Sequence, residues 1–350
     1  MNSSVLISSS VSIESYSSRT SEIITSPLPD WIWSGIERLY KSVFSSRVML
    51  EKPELNQSLP LAWIEKNEHQ ITDILLFHKE ECIIHVSNEV IELTSDVIER
   101  FSKDIFSNYP GIQFIRLHAI KLQSPLKNLL AFKSGFSEDY ILNIPSSKEG
   151  WLAGLSSRMR EKQRLYVKKA NAKINGIQFC VVRGAEIDES IVRQIVNLSH
   201  DRMKKKGKFF GISSEEEIQL CRQMKKVGCL FLLKKNDEVC AGLICSVIDT
   251  DVYMHVLAHD QKFNAMRLGL VCCFLTIEHA ISQGYKRLHF LWGHYDYKKK
   301  MGAKPVELYR LLILKSLSKS LLHPLILGHW YWNGLRDVLR KYRHKYFLVN

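Results

Sequence analysis

Residues 259–273 read HDQKFNAMRLGLVCC and connect a strand pattern to a helix pattern. The run VYMHVLAH predicts a strand, and apolar residues recur at helical spacing after Gly269. Backbone N–H groups in the first turn of a helix lack partners and lie at the positive end of its dipole, so this turn can bind a diphosphate. Gly269 would let a phosphate approach the backbone closely. The same sequence is also typical of an ordinary helix start with a glycine that serves packing, and both interpretations stay open.

The patterns around this turn follow a definite order. From residue 176 onward the sequence predicts a strand, two helices, three antiparallel strands, the helix after Gly269 and two final strands. Between the last two strands lies HFLWGHYDYKKKMGAKPVELYRL, residues 289–311, where Trp-Gly, Tyr-Asp-Tyr and three lysines interrupt the apolar runs. Residues 31–145 predict a helix, a hairpin, a second helix and two strands. The fold class is therefore α/β, of the α+β kind.

The chain is long enough, at 350 residues, for two domains. The patterns divide it into a disordered Ser-rich tail at 1–28, an N-terminal domain at 29–145, a basic linker helix at 146–173, a C-terminal domain at 174–315 and a basic, aromatic helical extension at 316–350. Ser146 and Glu149 predict a capping box at the start of the linker helix.

Basic residues outnumber acidic ones, with 49 Lys and Arg against 36 Asp and Glu and a net charge of +13. Such an excess favours anionic partners such as nucleotides, nucleic acids or acidic lipid surfaces. The second half of the linker helix, 158–173, contains many of these charges, and Glu161 is the single acid among them. Its basic side is either a solvated helix face or an anion-facing surface.

The eight cysteines occur mostly in apolar stretches and form no CxxC pair. This usage predicts reduced, buried thiols rather than a disulfide framework or a zinc site, and we expect no metal. The sequence opens without a charged and apolar leader, and no apolar run approaches the roughly 20 residues that span a bilayer. We therefore expect a soluble, cytoplasmic protein.

The turn and the strand order together resemble the GNAT acyltransferase superfamily, and more closely its CelD-like group, which is related to the Fem peptidyltransferases. The segment FLWGHYDYKKKMG supplies Gly293, Tyr297, Lys298 and Gly302 in register with that group's C-terminal signature. Upstream, YILNIPSSKEGWLAGLSSRMREKQRLYVKKA is similar to the group's segment that leads into a basic linker helix. The resemblance covers roughly 60–315 and implies tandem GNAT-like domains, each with a mixed, mainly antiparallel sheet flanked by helices.

Three positions depart from the pattern of this group. Met301 stands where the group usually has Trp, His289 where an Asp is common, and His259 where a Tyr is common. The donor loop also has a single glycine, which fits this group better than the glycine-rich GNAT loops.

The resemblance implies an N-acyltransferase that uses acetyl-CoA or another acyl-CoA as co-substrate. The donor diphosphate would be held by Asn264, Ala265, Met266, Arg267, Leu268, Gly269 and Leu270. The open edge of the strand VYMHVLAH would contact the pantetheine and polarise the thioester carbonyl.

Acyl transfer also requires an acceptor site and groups that move protons. His255 and Asp296 are candidates for the general base, and Tyr297 for protonating the leaving thiolate. Trp292, Tyr295 and Lys298 are candidates for substrate contacts, Lys298 with an anionic group of the acceptor. The residues alone leave other roles open: a core histidine, a solvated aspartate, a packing tyrosine and a solvated lysine.

The acceptor we expect is an amine of an amino sugar or of a cell-envelope or polysaccharide precursor. A Fem-type transfer from aminoacyl-tRNA is the alternative enzyme, and the basic run RMKKKGK at 202–208 would serve it, although 188–226 predict only two ordinary helices. A third hypothesis is a non-catalytic basic scaffold that binds nucleic acid or a membrane. The basic and aromatic residues of 316–350 suit peripheral contact with the inner face of a membrane, and a helix packed on the body of the protein is the alternative.

Overall fold

The computed structural model describes residues 19–51, 60–205, 207, 212–293, 295–320, 323–328, 330–332, 334 and 336. Within the predicted Ser-rich tail, Arg19–Ile24 form a strand, because they pair along their whole length with the strand Leu61–Asn67. The prediction of a disordered tail was wrong for these residues, and its part up to residue 18 lies outside the described residues.

The first half of the chain contains the predicted helix, hairpin, second helix and two strands, and in addition two strands before the hairpin, a short helix and a two-residue strand that the sequence did not predict. Its elements are β1 (Arg19–Ile24), α1 (Asp30–Tyr40), α2 (Arg47–Leu50), β2 (Leu61–Asn67), β3 (Gln70–Glu80), β4 (Ile83–Val86), β5 (Glu92–Leu93), α3 (Ser95–Asn108), β6 (Phe114–Leu122) and β7 (Ala131–Asn143). A 3-10 turn, Val43–Ser45, precedes α2. The N-cap Thr94 accepts a hydrogen bond from Val97 N–H and begins α3.

The predicted single linker helix is two helices, α4 (Lys148–Gly154) and α5 (Ser157–Lys173). The break follows from Ser156, which takes an extended conformation and caps the second helix by accepting from Met159 N–H. The predicted capping box at Ser146 was also wrong, because Ser147 is the N-cap and accepts from Gly150 N–H.

The second half has the predicted order of elements. They are β8 (Gln178–Arg183), α6 (Glu189–Lys205), α7 (Ser214–Val227), β9 (Gly228–Lys235), β10 (Glu238–Ile248), β11 (Asp251–His259), α8 (Leu268–Ser282), β12 (Arg287–His289), α9 (Asp296–Lys300), β13 (Lys304–Leu314) and α10 (Leu317–Ser320). A 3-10 segment, Gln261–Met266, joins β11 to α8.

One sheet of 13 strands runs through both halves in the order β1-β2-β3-β4-β6-β13-β7-β12-β11-β10-β9-β8, with β5 on β6. The halves exchange strands at its centre: β13, late in the chain, pairs with β6 and β7, and β7 pairs with β12. The mixed, mainly antiparallel α/β fold is thereby confirmed. The division of the chain into domains at 145 and 174 stays an interpretation, since the sheet does not break there.

Helices cover both faces of this sheet. In the first half, α3 packs on the face that contains Leu75 and Phe77 of β3. Helix α1 packs on the other face, against Ile74 and Leu76 of the same strand. In the second half α5 and α8 cover one face, and α6 and α7 cover the other. No helix among the described residues is both long and apolar enough to cross a membrane.

The C-terminal extension packs in part on the body of the protein. Residues 324–328 are helical, and Ile326, Leu327 and Trp330 lie against the apolar cluster of Phe114 and Leu312. Residues 337–350, which hold most of the predicted basic and aromatic positions, lie outside the described residues. Membrane contact through 316–350 stays a prediction.

A buried charge network lies where the two halves join. His289 of β12 makes a hydrogen bond of 2.7 Å from Nδ1 to Asp139 Oδ2 of β7, and Lys121 of β6 lies 3.6 Å from the same oxygen. Asp251 of β11 lies 3.6 Å from His289 Nε2 and accepts from Arg287 at 2.8 Å. Burial opposes the charge of Asp139, but the hydrogen bond and charge of His289 outweigh it and lower the pKa of this carboxyl.

We predict that Asp139→Ala lowers the free energy of unfolding by about 3–5 kcal/mol, because it leaves buried cationic partners without their counter-charge. The carboxylate stabilises the fold above its unfolded-state pKa near 4, and this contribution is lost as pH falls through the lowered folded-state pKa. Denaturant titrations of wild type and Asp139→Asn should therefore differ at neutral pH, and the difference should shrink as pH falls from about 4 through the lowered folded-state pKa. Asp201→Ala, on the exposed side of α6, is the control; an equal loss there would contradict the assignment.

Candidate active site

Strands β11 and β12 are parallel neighbours that separate after three residues. Their pairing runs from Asp251↔Arg287 to Tyr253↔His289, whereas β11 continues to His259. On its other side β11 stays paired with β10 up to His259↔Ala241. Beyond Tyr253, β11 thus has no strand paired to this edge among the described residues. An edge of this kind offers backbone donors and acceptors to an extended ligand.

A β-bulge bends β11 within this splayed part. Ile244 of β10 is opposite Val256 and Cys245 is opposite Met254, so His255 is the extra residue. Val256 and Ala258 consequently face α6 and α7, and Met254 and Leu257 face α5 and α8. The bulge therefore occurs at the residue that the sequence singled out as a base.

The turn between β11 and α8 is held by polar contacts of its own. Asp260 N–H donates to Cys240 O, and Asp260 Oδ1 accepts from Lys262 N–H. His259 Nε2 lies 2.9 Å from Asn264 Oδ1. Arg267 takes a left-handed conformation at φ 56° and is the N-cap of α8. The first amides of a 15-residue helix thus follow directly after an exposed arginine.

The basic linker helix lies beside this turn. Lys169 of α5 donates from Nζ to Ala265 O at 2.9 Å. Gln163 of the same helix donates to Glu278 of α8 at 2.9 Å. Lys169 and Arg267 therefore place two cationic groups at the N-terminal end of α8, which is the arrangement that favours a bound anion.

Gly269 is buried in the first turn of α8 and allows the helix to pack closely on β11. A Cβ atom at this position would lie 3.1 Å from His259 Nδ1. This contact is the packing interpretation that the sequence left open, and the approach of a phosphate to the same turn stays a prediction. The helix itself begins at Leu268.

The signature segment turns sharply between β12 and α9. Leu291 has φ 54° and Gly293 φ 96°, and a Cβ atom on Gly293 would lie 2.9 Å from the Tyr295 ring. Lys298 ties this turn together, because its Nζ donates to Leu291 O at 2.8 Å and to Trp292 O at 2.7 Å. Its ammonium also lies 5.3 Å from the centre of the Tyr140 ring.

Lys298 is 2% exposed, and burial lowers its pKa to about 8. The ammonium is directed into the protein and donates hydrogen bonds to the carbonyls of Leu291 and Trp292. A direct contact with an anionic acceptor, as the resemblance implied, would require these bonds to be released. Neighbouring Lys299 and Lys300 are exposed.

His255 has an environment that differs from the one expected for a base. Its Nε2 lies 2.9 Å from Ser246 Oγ and 3.3 Å from Gln223 Nε2. Burial lowers its pKa to about 4, so the ring is neutral near pH 7 and is a weak proton acceptor. These contacts match those of a satisfied, partly buried histidine.

Asp296 and Tyr297 lie in the first turn of α9 and differ in exposure. The Asp296 side chain is 89% exposed and its Oδ2 lies 3.6 Å from Lys300 Nζ. Tyr297 is half-buried in the same apolar cluster as Phe263 and Met266, which lie in the turn between β11 and α8. Burial, followed by the nearby Cys273, raises the pKa of the Tyr297 phenol far above its ordinary value.

Trp292 belongs to an aromatic cluster that is built by both halves. Its ring centre lies 5.0 Å from that of Phe44, which follows α1, and 6.1 Å from that of Phe136 on β7. Phe44 also meets His255 at 6.4 Å, while Arg310 of β13 lies 4.7 Å from the Phe136 ring. Trp292 is 38% exposed, so part of its surface is open to a ligand.

The structure thus sorts the predicted residues into two groups. Tyr297 belongs to the same apolar cluster as the turn between β11 and α8, on the α8 face of the sheet. Trp292 and His255 contact Phe44 on the opposite face. Tyr295 is 50% exposed beside the turn between them. Sequence reasoning missed Phe44 and Phe136, because only the packing of the first half on the second brings them here. The charge pattern of the linker helix was the available signal for Lys169.

Comparison with known proteins gives a family match and related folds. Residues 157–299 match the family model described as an acetyltransferase (GNAT) domain. The crystal structure of FemX is similar with a TM-score of 0.62 and 12% identity, covering 87% of this chain and 99% of that one. A tandem GNAT protein of the clavulanic acid pathway has a TM-score of 0.44 and 6% identity, covering 84% and 98% of the two chains. L-PGS from Bacillus licheniformis has a TM-score of 0.45 and 13% identity, covering 71% and 83%. No curated protein matches the sequence.

We predict that the stability of the protein rises with pH above about 8 through Lys298. Its folded-state pKa lies below the unfolded value near 10.4, so the unfolded state binds more protons in this interval. The expected gain is on the order of 2 kcal/mol between pH 8 and pH 10. Denaturant titrations should show it in wild type and in Lys299→Met, and should show much less in Lys298→Met. An unchanged pH dependence in Lys298→Met would contradict the buried cation.

Proposed function

We propose that this chain, a GNAT-superfamily protein with the fold of FemX, is an N-acyltransferase that moves an acyl group from acyl-CoA to an amine. The acyl group we favour is acetyl. The acceptor we favour is an amino sugar or a cell-envelope or polysaccharide precursor, in keeping with the resemblance of the signature segment to the CelD-like group.

A single observation carries this proposal. One edge of β11 has no paired strand beyond Tyr253 among the described residues, and β11 leads at its carboxyl end to the cationic N-terminus of α8. A thioester carrier has an extended amide-containing arm joined to a diphosphate. The strand edge suits the arm, and the turn with Lys169 and Arg267 suits the diphosphate.

The chemical step we propose is direct attack of the amine on the thioester carbonyl. The amine forms the new C–N bond, the C–S bond breaks, and CoA leaves as thiolate while the ammonium loses one proton. Backbone N–H groups on the edge of β11 would stabilise the oxyanion that forms at the carbonyl. Holding donor and acceptor together in the opening supplies the remaining advantage through orientation.

Proton transfer is assigned to the exposed side of the turn rather than to His255. The Nε2 of His255 is already engaged, because it lies 2.9 Å from Ser246 Oγ and 3.3 Å from Gln223 Nε2. Asp296, whose side chain is 89% exposed, can take the proton of the amine through water. Tyr297 can donate a hydrogen bond to the thiolate, but its raised phenol pKa makes full proton transfer to sulfur unfavourable.

The acceptor side of the proposal rests on the Phe44–Phe136–Trp292 cluster. The exposed Trp292, supported by the half-buried Phe44 and Phe136, suits a ligand with a flat apolar face and polar rims, such as a sugar ring. Lys298 supports this surface indirectly, because it fixes the carbonyls of Leu291 and Trp292.

The donor prediction concerns Arg267. Acetyl-CoA and CoA should raise the melting temperature of the wild-type protein, since they bind the folded state. Arg267→Glu should weaken CoA at least tenfold by placing a negative charge near the diphosphate, and Arg267→Lys should retain most of the affinity. Calorimetric titration measures both.

The control for this experiment is Arg38→Glu on the exposed face of α1, which makes the same charge change in the other half. Unchanged CoA affinity in Arg267→Glu would overturn the donor site. Stabilisation by tRNA, with steep salt dependence and no response to CoA, would instead favour the Fem-type alternative or a nucleic-acid scaffold.

The acceptor prediction concerns Trp292. Trp292→Ala should raise the KM for the amine at least tenfold and leave the dissociation constant of CoA unchanged, because the side chain lies on the face opposite the donor turn. Trp332→Ala, an exposed tryptophan of the C-terminal extension, is the matched control. Steady-state release of the CoA thiol over a panel of amino sugars measures the effect. A parallel loss of CoA binding would contradict the separation of the two sides.

A further inference from the structure

A pair of stacked histidines lies on the first-half sheet, far along the chain from the signature segment. His78 of β3 and His85 of β4 are directly opposite in the antiparallel register. Their ring centres lie 5.1 Å apart with planes inclined by 10°. Glu80 is two residues beyond His78, so its side chain leaves the strand on the same face.

We propose that His78, Glu80 and His85 form a binding site for a divalent transition metal, with Zn²⁺ as the best-suited ion. Nitrogen from two imidazoles and oxygen from one carboxylate is a ligand set that Zn²⁺ accepts, whereas Mg²⁺ and Ca²⁺ require oxygen ligands. The proposal is independent of the acyltransferase function.

The geometry comes close to what such an ion needs. The ligand atoms all lie within 4.8 Å of one another, and His85 Nε2 is already 3.1 Å from Glu80 Oε2. Tetrahedral zinc with bonds of about 2.0–2.1 Å separates its ligands by roughly 3.3 Å. The Glu80 side chain is 70% exposed and free to make the remaining adjustment, while two paired strands hold the histidines.

The state of the two imidazoles supports the assignment. His85 Nε2 is buried and, apart from its 3.1 Å contact with Glu80 Oε2, makes no polar contact that meets hydrogen-bond geometry within the described part of the chain. Neutral rings have the free nitrogen lone pair that a metal requires.

A pocket of about 290 Å³ adjoins the pair and gives a bound ion an open side. His78 and His85 line it together with Ser87, Arg116 and His118. Three protein ligands leave a fourth coordination position for water or another small ligand. The positive charge of Arg116 would favour an anionic ligand there, such as a carboxylate or a phosphate.

Metal binding by a nearby thiol must be distinguished from binding at this site. Cys82, in the turn between β3 and β4, has its Sγ 3.9 Å from His323 Nδ1 and is half-buried. A cysteine and a histidine are also zinc ligands. Cys82→Ser therefore belongs in every comparison.

The test uses the full chain without an affinity tag, freed of metal and titrated with Zn²⁺ against a competing chelator. Wild type should bind one ion, and His78→Gln, His85→Gln and Glu80→Gln should each bind at least tenfold more weakly. His69→Gln, an exposed histidine at the β2–β3 turn, and Cys82→Ser should bind as wild type does. Zn²⁺ should raise the melting temperature of wild type and of these two controls, and not that of the three ligand variants.

Spectra with Co²⁺ provide a second readout. A visible band of nitrogen and oxygen ligation should appear in wild type and disappear in His85→Gln, whose melting temperature without metal shows whether it is folded. Equal Zn²⁺ affinity in the ligand variants, no one-to-one binding by wild type, or a thiolate band lost in Cys82→Ser would each overturn the proposal.

Discussion

The separation of two parallel strands is the constraint on which the candidate site depends. Strands β11 and β12 are paired only from Asp251 to Tyr253 on the β11 side, and each is held on its outer side by another strand. The bulge at His255 bends β11, while the bonds from Lys298 to two carbonyls fix the turn after β12. A strand edge without a paired strand leaves backbone groups available, and an extended ligand can pair with them.

The same region is where the two halves of the chain join. Asp139, His289, Asp251 and Lys121 come from four strands of both halves and are buried together. Buried charges are costly unless they are paired, so this network favours one relative placement of the halves. That placement brings Phe44 and Phe136 next to Trp292. The electrostatic network and the aromatic surface are therefore consequences of a single strand order.

Much of the fold was readable from the sequence, because apolar periodicity and turn residues decide local structure. The order of elements from β8 to β13 and the hairpin of β3 and β4 are examples. Predictions failed where long-range pairing or a short cap decided the outcome, as at β1 and at the Ser156 break. Side-chain roles were the least readable. The burial of His255 and Lys298 depends on tertiary packing, which the local sequence does not indicate. The spacing of His78, Glu80 and His85 matches no cysteine-based metal motif.

The exchange of strands at the sheet centre also bears on how the protein is made. Strands β6 and β7 leave the ribosome well before β13, which fills the gap between them. Until residues 304–314 emerge, the edges of β6 and β7 that pair with β13 lack this partner strand. Closure of this sheet therefore waits for a strand that is made late and pairs non-locally, a topology that slows folding.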